Sequence, residues 1–462
     1  MALFSKKEKA PHNFMLKDHP TKREIRWDIF RMAWPSALEM ILVSLCGIVD
    51  MMMVGDLGSY AITAIGLTNQ PKFLILALFQ ALNVGCTALV ARSRGEGRQD
   101  TANTATSSNL IISIILSIVL STIAYFFVYN LVGIMGGDAQ ATYYGALYFK
   151  YILIGMPFNI AGMAITAALR GVGNTKASLY MNMTANLVNV FFNYCLIYGN
   201  LGFPQLGVAG AAIATSLGFV IAFFMGLFIL LRKKQYVYLS REHKSIDKEV
   251  VRRMLRVGTP TMVEQLGMRV GQFIFTRIVA GLGTVAFAAH TITINIESLS
   301  FTTGQAFGVA STTFVGQNLG RKRPDLAEEY ARETNKVGFA VAVLIGLLLF
   351  TFAHPIVGLY ANEAEVIALT AQVLTFVSLT QPIQCYYFVT ASSLRGAGDT
   401  RYTAMVLLIS MMILRPSLAF LFVIVMNFGV MGAWFGITLE QCFRAVMVFF
   451  RFRSGKWKLM KV

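Results

Sequence analysis

Apolar positions in this chain come in long continuous runs, far longer than the amphipathic stripe of a soluble helix. A helix crossing the hydrocarbon of a bilayer needs about 20 mostly apolar residues. Twelve such stretches can be drawn, near 33–54, 61–91, 106–134, 147–169, 177–198, 208–231, 257–280, 286–316, 337–360, 366–392, 402–426 and 430–450. Several exceed the minimum, which predicts tilted or bent helices. Pro35, Pro71, Pro157, Pro260, Pro382 and Pro416 lie inside or at the ends of these stretches. A proline within a helix frees a backbone carbonyl and kinks the chain, which is tolerable beside a cavity.

The polar connections test the helix count. Alternate connections (92–103, 170–176, 232–256, 320–336, 395–401 and the tail from 451) hold 3, 2, 9, 5, 2 and 5 basic residues, and the tail 1–32 holds 8. The opposite connections, 55–60, 135–145, 199–207, 281–285, 361–366 and 427–430, hold none. A wrong helix number would scramble this alternation. Loops rich in Lys and Arg stay in the cytoplasm, so both termini are expected there, in a multi-pass protein of the plasma (inner) membrane.

The chain also repeats itself. Laying Pro35 on Pro260 and keeping that shift superposes Pro35-x-x-x-Glu39 on Pro260-x-x-x-Glu264, Leu57-Gly58 on Leu282-Gly283, and Pro157 on Pro382. The same shift lays Leu169-Arg-Gly-Val-Gly-Asn-Thr175 on Leu394-Arg-Gly-Ala-Gly-Asp-Thr400. A repeat of six helices is even, so both copies keep one orientation and are related by an axis along the membrane normal. The expected organisation is a cytoplasmic tail (1–32), an N-terminal six-helix lobe (33–231), a cytoplasmic linker (232–256), a C-terminal six-helix lobe (257–450) and a cytoplasmic tail (451–462). The fold class is an all-α membrane protein, twelve transmembrane helices in two pseudo-symmetric lobes around a central cleft.

Composition agrees. Of 462 residues, 56% are hydrophobic and 14% charged, against about 25% charged in soluble domains. The net charge of +17 raises nucleic acid as a partner. The basic residues, however, abut apolar segments and do not interleave with aromatics, so they read as topology and attraction to anionic lipid headgroups. Cys46, Cys86, Cys195, Cys385 and Cys442 fall inside apolar segments without short spacing, which indicates neither a disulfide frame nor a zinc site. The first apolar run is too long for a signal-peptide core, so no cleavage is expected.

The two Leu-Arg-Gly-x-Gly-x-Thr loops, Val315-Gly-Gln-Asn-Leu-Gly320, Ala288-Ala-His290 and the paired six-helix lobes together resemble the MATE (multidrug and toxic compound extrusion) transporters of the bacterial type. The resemblance runs from about Arg31 to Phe450. It implies a V-shaped pair of lobes that exports organic, often cationic, drugs or metabolites in exchange for inward Na⁺ or H⁺, by alternating access. Flippases for lipid-linked sugars share the lobe architecture and are the alternative.

Intramembrane charges supply the candidate chemistry. A carboxylate at membrane depth costs several kcal/mol unless a proton or cation accompanies it, which lets a lone Asp50 couple transport. Its repeat mate is Phe275, confining this charge to the N-terminal lobe. The resemblance places the coupling carboxylate of that lobe at Asp50, with a possible Na⁺ near it as the one metal ion expected. Asn182, Asn186, Asn189 and Asn193 share one helical face, and a polar stripe in lipid must face helices or a wet cavity. Asn189 and Asn193 are candidates to coordinate Na⁺ or bond a carboxylate. In proton-coupled archaeal relatives the position resembling Asn193 is an aspartate, so the amide here counts against a two-aspartate proton site. A packing stripe is the plain alternative.

Glu39 and Glu264, one turn beyond their prolines, and Glu297 in mid-helix are candidate cavity charges for a cationic substrate. Arg269, Arg277 and Arg415 are the residues that would otherwise neutralise them. Tyr148, Asn186 and Lys72 are further candidates for the cavity wall. Lys72 and Glu297 are separated by the repeat offset and carry opposite charge; they are a candidate pair across the lobes, against pairing of each within its own lobe. His290 and His354 have no second ligand at metal spacing; His290 is expected to be a hydrogen-bonded packing residue. No His-Glu-x-x-His, Gly-x-Ser-x-Gly or Gly-Lys phosphate loop occurs, so neither an enzyme nor ATP drive is expected. The expected partners are a small-molecule substrate and the lipid bilayer, with no nucleic acid, no cofactor beyond the coupling ion, and a monomeric state.

Overall fold

The computed structural model describes residues 17–136, 139–239, 246–361 and 363–460. Positions 1–16 of the expected tail, 240–245 of the linker, 137–138 and 362 in two connections, and 461–462 at the end lie outside them.

Twelve long helices, α1–α12, appear among the described residues. In the first half they are α1 (Lys22–Gly55), α2 (Ser59–Gly95), α3 (Gln99–Phe126), α4 (Ala139–Gly171), α5 (Thr175–Tyr198) and α6 (Gly207–Leu231). In the second half come α7 (Lys248–Ala280), α8 (Thr284–Gly320) and α9 (Pro324–Thr351). There follow α10 (Ala364–Ser378 and Gln381–Gly396, bent by 51°), α11 (Thr400–Val425) and α12 (Gly429–Arg453). The bounds of α2, α3 and α4 map onto those of α8, α9 and α10 under the shift that lays Pro35 on Pro260. So does the short helix Val128–Gly133 onto Ala353–Gly358. The sixth helix of each lobe departs from this: Gly207 and Gly429 are closer than the shift requires, because the connection before α12 is shorter.

Local chemistry sets several ends. Thr21 caps α1 in a capping box with Glu24, starting that helix well before its apolar run. Gly58 and Gly283 precede α2 and α8 at φ 115° and 97°, a region closed to most side chains. Pro157 leaves α4 continuous, whereas α10 breaks just before Gln381-Pro382. Around Arg415-Pro416, α11 widens into π-turns at Ile409–Leu414 and Phe420–Val425, the usual response to a carbonyl left without its donor.

By length and composition, eight described helices can cross a membrane, or nine when α10 counts as one span. The apolar-run expectation of twelve is met by α5, α7 and α8 only through packing. Many of their polar positions (Asn189 and Asn193 in α5, Glu264 in α7, Thr293, Ser311 and Gln317 in α8) are buried against neighbouring helices, as polar groups in a bilayer must be.

The lobes meet at the end that carries the basic loops. There Gly95 lies against the Gln317 backbone and, at the mate position, Gly320 against the Arg92 backbone; Gly85 meets Met254 and Gly258 meets Ala81 in the same way. A methyl at any of these glycines would overlap the facing main chain. Thr313 Oγ1 donates to the Arg170 carbonyl at 2.9 Å and Gln317 Nε2 to the Gly171 carbonyl at 3.0 Å. These bonds tie α8 to the carbonyl end of α4. Toward the other end the lobes part: α1 has no buried residue between Glu39 and Val54, and a methyl added at Gly47 or Gly66 would meet no atom within 4 Å.

Candidate functional site

The α1–α5 seam holds the first polar cluster. These helices run in fixed register, so the asparagine face of α5 lies along α1, and partners at one constant interval along the chain recur down the seam. Asn182 Nδ2 donates to Glu39 Oε1 at 2.6 Å, and further along Asn193 Nδ2 donates to Asp50 Oδ1 at 2.6 Å. The Asn189 amide, oriented by its hydrogen-bond network, donates to both Asp50 oxygens at 2.7 and 3.1 Å. Its oxygen then accepts from Thr215 N at 3.2 Å and Thr215 Oγ1 at 3.0 Å. Asp50 is half-buried, with no ion pair among the described residues; Lys72 acts on it through charge alone. Asn193 is 1% exposed, and its Oδ1 has no hydrogen-bond partner. The Asn186 amide nitrogen also has none.

Oxygen donors without competing soft ligands suit a hard cation. Asp50, the unpartnered Asn193 Oδ1 and Thr215 Oγ1 are such donors. Rotating the Asn193 amide would aim its oxygen into the site, so the residues fit Na⁺; a proton fits on the carboxylate itself.

Two candidate cavity acids are engaged elsewhere. Glu39 is 3% exposed and pairs with Arg170 at 2.6 Å; Glu264 is 1% exposed and pairs with Arg395 at 3.3 Å. In both pairs the arginine follows its carboxylate at the same interval along the chain, so each pair is the image of the other. The arginine of each Leu-Arg-Gly loop thus neutralises the carboxylate after the proline. This corrects their placement on the cleft wall, since a buried carboxylate needs a charged partner to offset its lost hydration. Arg269, Arg277 and Arg415 are not those partners. Arg269 instead stacks on Phe73 of the other lobe at 4.4 Å. Tyr148, 7% exposed, is likewise buried, beside Thr215 and within electrostatic reach of Asp50, and not on the cleft wall.

Lys72 and Glu297 do not meet. Glu297 accepts from Gln384 Nε2 at 3.0 Å and lies under the charges of Arg415 and Arg444 in its own lobe. The charge that acts on Lys72 is Asp50. The in-lobe alternative therefore describes this conformation, with partners other than the expected Arg269. His290 is buried between Phe275 and Trp434, at ring distances of 5.4 and 5.5 Å, and neither ring nitrogen has a hydrogen-bond partner. It packs, but through tilted ring contacts and not by hydrogen bonds. His354 is exposed on the short helix Ala353–Gly358.

A second buried cluster was not singled out by sequence reasoning. Glu440 of α12, 0% exposed, accepts from Arg415 Nη2 at 2.8 Å and Arg444 Nη2 at 3.1 Å, and Arg415 Nη1 donates to Gln272 at 3.2 Å. The available signal was Glu440 one helical turn before Arg444 in an apolar run, an intrahelical pair by spacing.

An all-helical chain in two repeated lobes, with polar seams inside each and a cleft between, defines a two-lobed membrane transporter. A MatE family model matches residues 35–195 and 260–421, two blocks whose starts are the repeat-related Pro35 and Pro260. The chain belongs to this family, whose members are transporters and not enzymes. It is 28% identical over 445 residues to the probable multidrug resistance protein NorM of Thermotoga maritima, covering 94% of each chain. It is 25% identical to the multidrug resistance protein PmpM of Pseudomonas aeruginosa, covering 81% of this chain and 79% of that one. Among solved structures, an outward-facing multidrug resistance MATE family transporter superposes with TM-score 0.87 at 22% identity, over 94% of this chain and 97% of that one. A MOP superfamily transporter from Pyrococcus furiosus, described as having a binding pocket of reversed polarity, superposes with TM-score 0.86 at 23% identity, over 93% and 95%. The multidrug resistance relatives favour drug export over the flippase alternative.

Proposed function

We propose that this protein is a cation-coupled antiporter of the plasma membrane that exports organic compounds by alternating access. The basic end faces the cytoplasm, and the coupling ion, Na⁺ or H⁺, is taken at Asp50. The observation that carries this reading is the Asp50–Asn189–Asn193 cluster. It is a membrane-depth carboxylate supplied with amides and a hydroxyl but with no ion-paired guanidinium or ammonium among the described residues, so a mobile cation is the natural partner for its charge. The glycine-lined contact at the basic end and the parted lobes at the other support alternating access, in which this would be one of the two states. Opening the seal would expose the cleft to the cytoplasm. The similarity to multidrug resistance proteins supports drugs and related organic molecules as the exported class.

Purified protein in liposomes, loaded with a fluorescent organic cation, tests the reading. Efflux driven by an imposed Na⁺ or pH gradient is the expected result, and which gradient works assigns the ion. No gradient-driven efflux with either ion would overturn it.

A further inference from the structure

The two lobes have one architecture, yet the space between first, fifth and sixth helices is furnished oppositely in each. In the N-terminal lobe it holds Asp50, faced by Asn189 and Asn193. In the C-terminal lobe the mate of Asp50 is Phe275, and the mates of Asn189 and Asn193 are Leu414 and Leu418. The register is unchanged, since Arg415 and Gln272 stand at the same interval along the chain as Asn193 and Asp50. The acid of this space enters instead from the sixth helix. Glu440 occupies the place of Gly218 when the starts of α6 and α12, Gly207 and Gly429, are aligned. Gly218 packs against the Ala185 backbone and Asn189, where a side chain would have no room. Glu440 meets Arg415 and Arg444 at 2.8 and 2.6 Å, and these arginines are only 8% and 7% exposed.

The charges balance within one group of that lobe: Glu264, Glu297 and Glu440 are its acids and Arg395, Arg415 and Arg444 its bases, while the buried Glu333 and Asp399 pair separately with Arg26 and Lys336 and with Arg451. Glu264 takes Arg395, Glu440 is shared by Arg415 and Arg444, and both also act on Glu297, which Gln384 holds. Gln272, Gln384, Gln441 and Tyr387 complete the set, and the His290 ring lies tilted against Phe275.

We propose that Arg415 is a tethered cation filling the space equivalent to the Asp50 site, so that the C-terminal lobe takes no mobile cation and coupling is confined to the N-terminal lobe. Arg415 is thereby a positioning residue that sets how many ions each cycle carries. A guanidinium suits the task because it stays charged and satisfies carboxylate and amide acceptors together. Removing it leaves one surplus carboxylate in the Glu297–Glu440 group, and a buried carboxylate without a partner must take up a proton or a metal cation. The inference rests on the reading of Asp50 as the coupling site only for the word coupling; the occupancy of the C-terminal lobe is tested separately.

The experiment counts bound cations on the purified full-length protein, using radiolabelled Na⁺ at fixed pH and potentiometric proton uptake in Na⁺-free buffer. All comparisons are made in an Asp50→Asn background. Adding Arg415→Met should create one extra bound Na⁺ or proton per chain. Arg415→Lys, which keeps the tethered charge, should create none. Nor should Arg415→Met with Glu440→Gln, which removes both charges. If Arg415→Met gives no folded protein by gel filtration and thermal melting, Arg444→Met removes the other tethered charge and must produce the same gain. Equal counts in Asp50→Asn with and without the arginine substitution would overturn the proposal. Equal counts in wild type and Asp50→Asn would instead strike the Asp50 reading and leave the Arg415 comparison intact.

Discussion

Asp50 and Glu440 are two solutions to one problem, a carboxylate kept where hydrocarbon or packed helices exclude water. Asp50 receives neutral amides, which under the proposed coupling leaves its charge to a mobile ion; Glu440 receives two guanidinium groups. Asp50→Asn is therefore expected to abolish gradient-driven efflux while leaving insertion intact, because the amide keeps shape and removes charge. Wild-type efflux in that variant would end the coupling reading. Asn193→Asp places a second carboxylate 2.6 Å from the first, and like charges at that distance hold one proton between them. If the site is of Na⁺ type, efflux by this variant should become more pH-sensitive than that of the parent; an identical pH profile would leave the asparagine face a packing stripe. Arg395→Met alone strands the buried Glu264, a loss of about 3–5 kcal/mol. Glu264→Gln with Arg395→Met removes both charges and should recover part of it. Thermal melts of the two variants in detergent check this, and equal losses would show that the pair contributes by packing alone.

At the scale of elements, helices in this protein are placed by what their polar faces reach. The asparagines of α5 satisfy Glu39 and Asp50 on α1, so that seam can sit inside a bilayer. The contact between lobes depends on glycine instead, because backbone meets backbone at Gly95–Gln317 and Gly320–Arg92. Gly320→Ala is expected to wedge this seal. Overpacking costs about 1–3 kcal/mol, enough to shift a two-state balance roughly tenfold. The variant should express normally, lose transport, and show raised reactivity of a cysteine placed at Thr313 toward thiol reagents from the basic side. Unchanged reactivity and transport would show that this contact does not close the cleft.

For the whole molecule, the repeat is the organising fact. Helix bounds, the Glu39–Arg170 and Glu264–Arg395 pairs and the two glycine contacts are all duplicated, which is what an axis along the membrane normal requires of two parallel copies. The asymmetric residues, Asp50 against Phe275 and Gly218 against Glu440, are where the copies differ in charge, and on the proposed coupling they are where the duties diverge. Orientation belongs to this scale too. With native cysteines replaced, a cysteine at Asn200 should react with impermeant thiol reagents outside intact cells, and one at Lys233 should not. The reverse pattern would invert the molecule in the membrane.

The sequence alone determined the helix count, the two lobes and the repeat, because these follow from run length, charge alternation and a constant offset, all local or one-dimensional quantities. It also determined Asp50 and the asparagine face as a candidate site, since intramembrane polar residues are few and their helical spacing is readable. Only the tertiary structure decided which charges meet. Glu39 and Arg170 lie on the first and fourth helices, far apart along the chain. Nothing in the order of residues marks them as partners except that Glu264 and Arg395 repeat the interval. Lys72 and Glu297 looked complementary by sign and symmetry, yet Gln384 and the arginines of the C-terminal lobe reach Glu297 first. Tyr148 looked like a cleft wall and is core. Charge pairing in a low-dielectric interior is decided over a few ångströms, and that distance is set by helix rotation and crossing, which the order of residues leaves open.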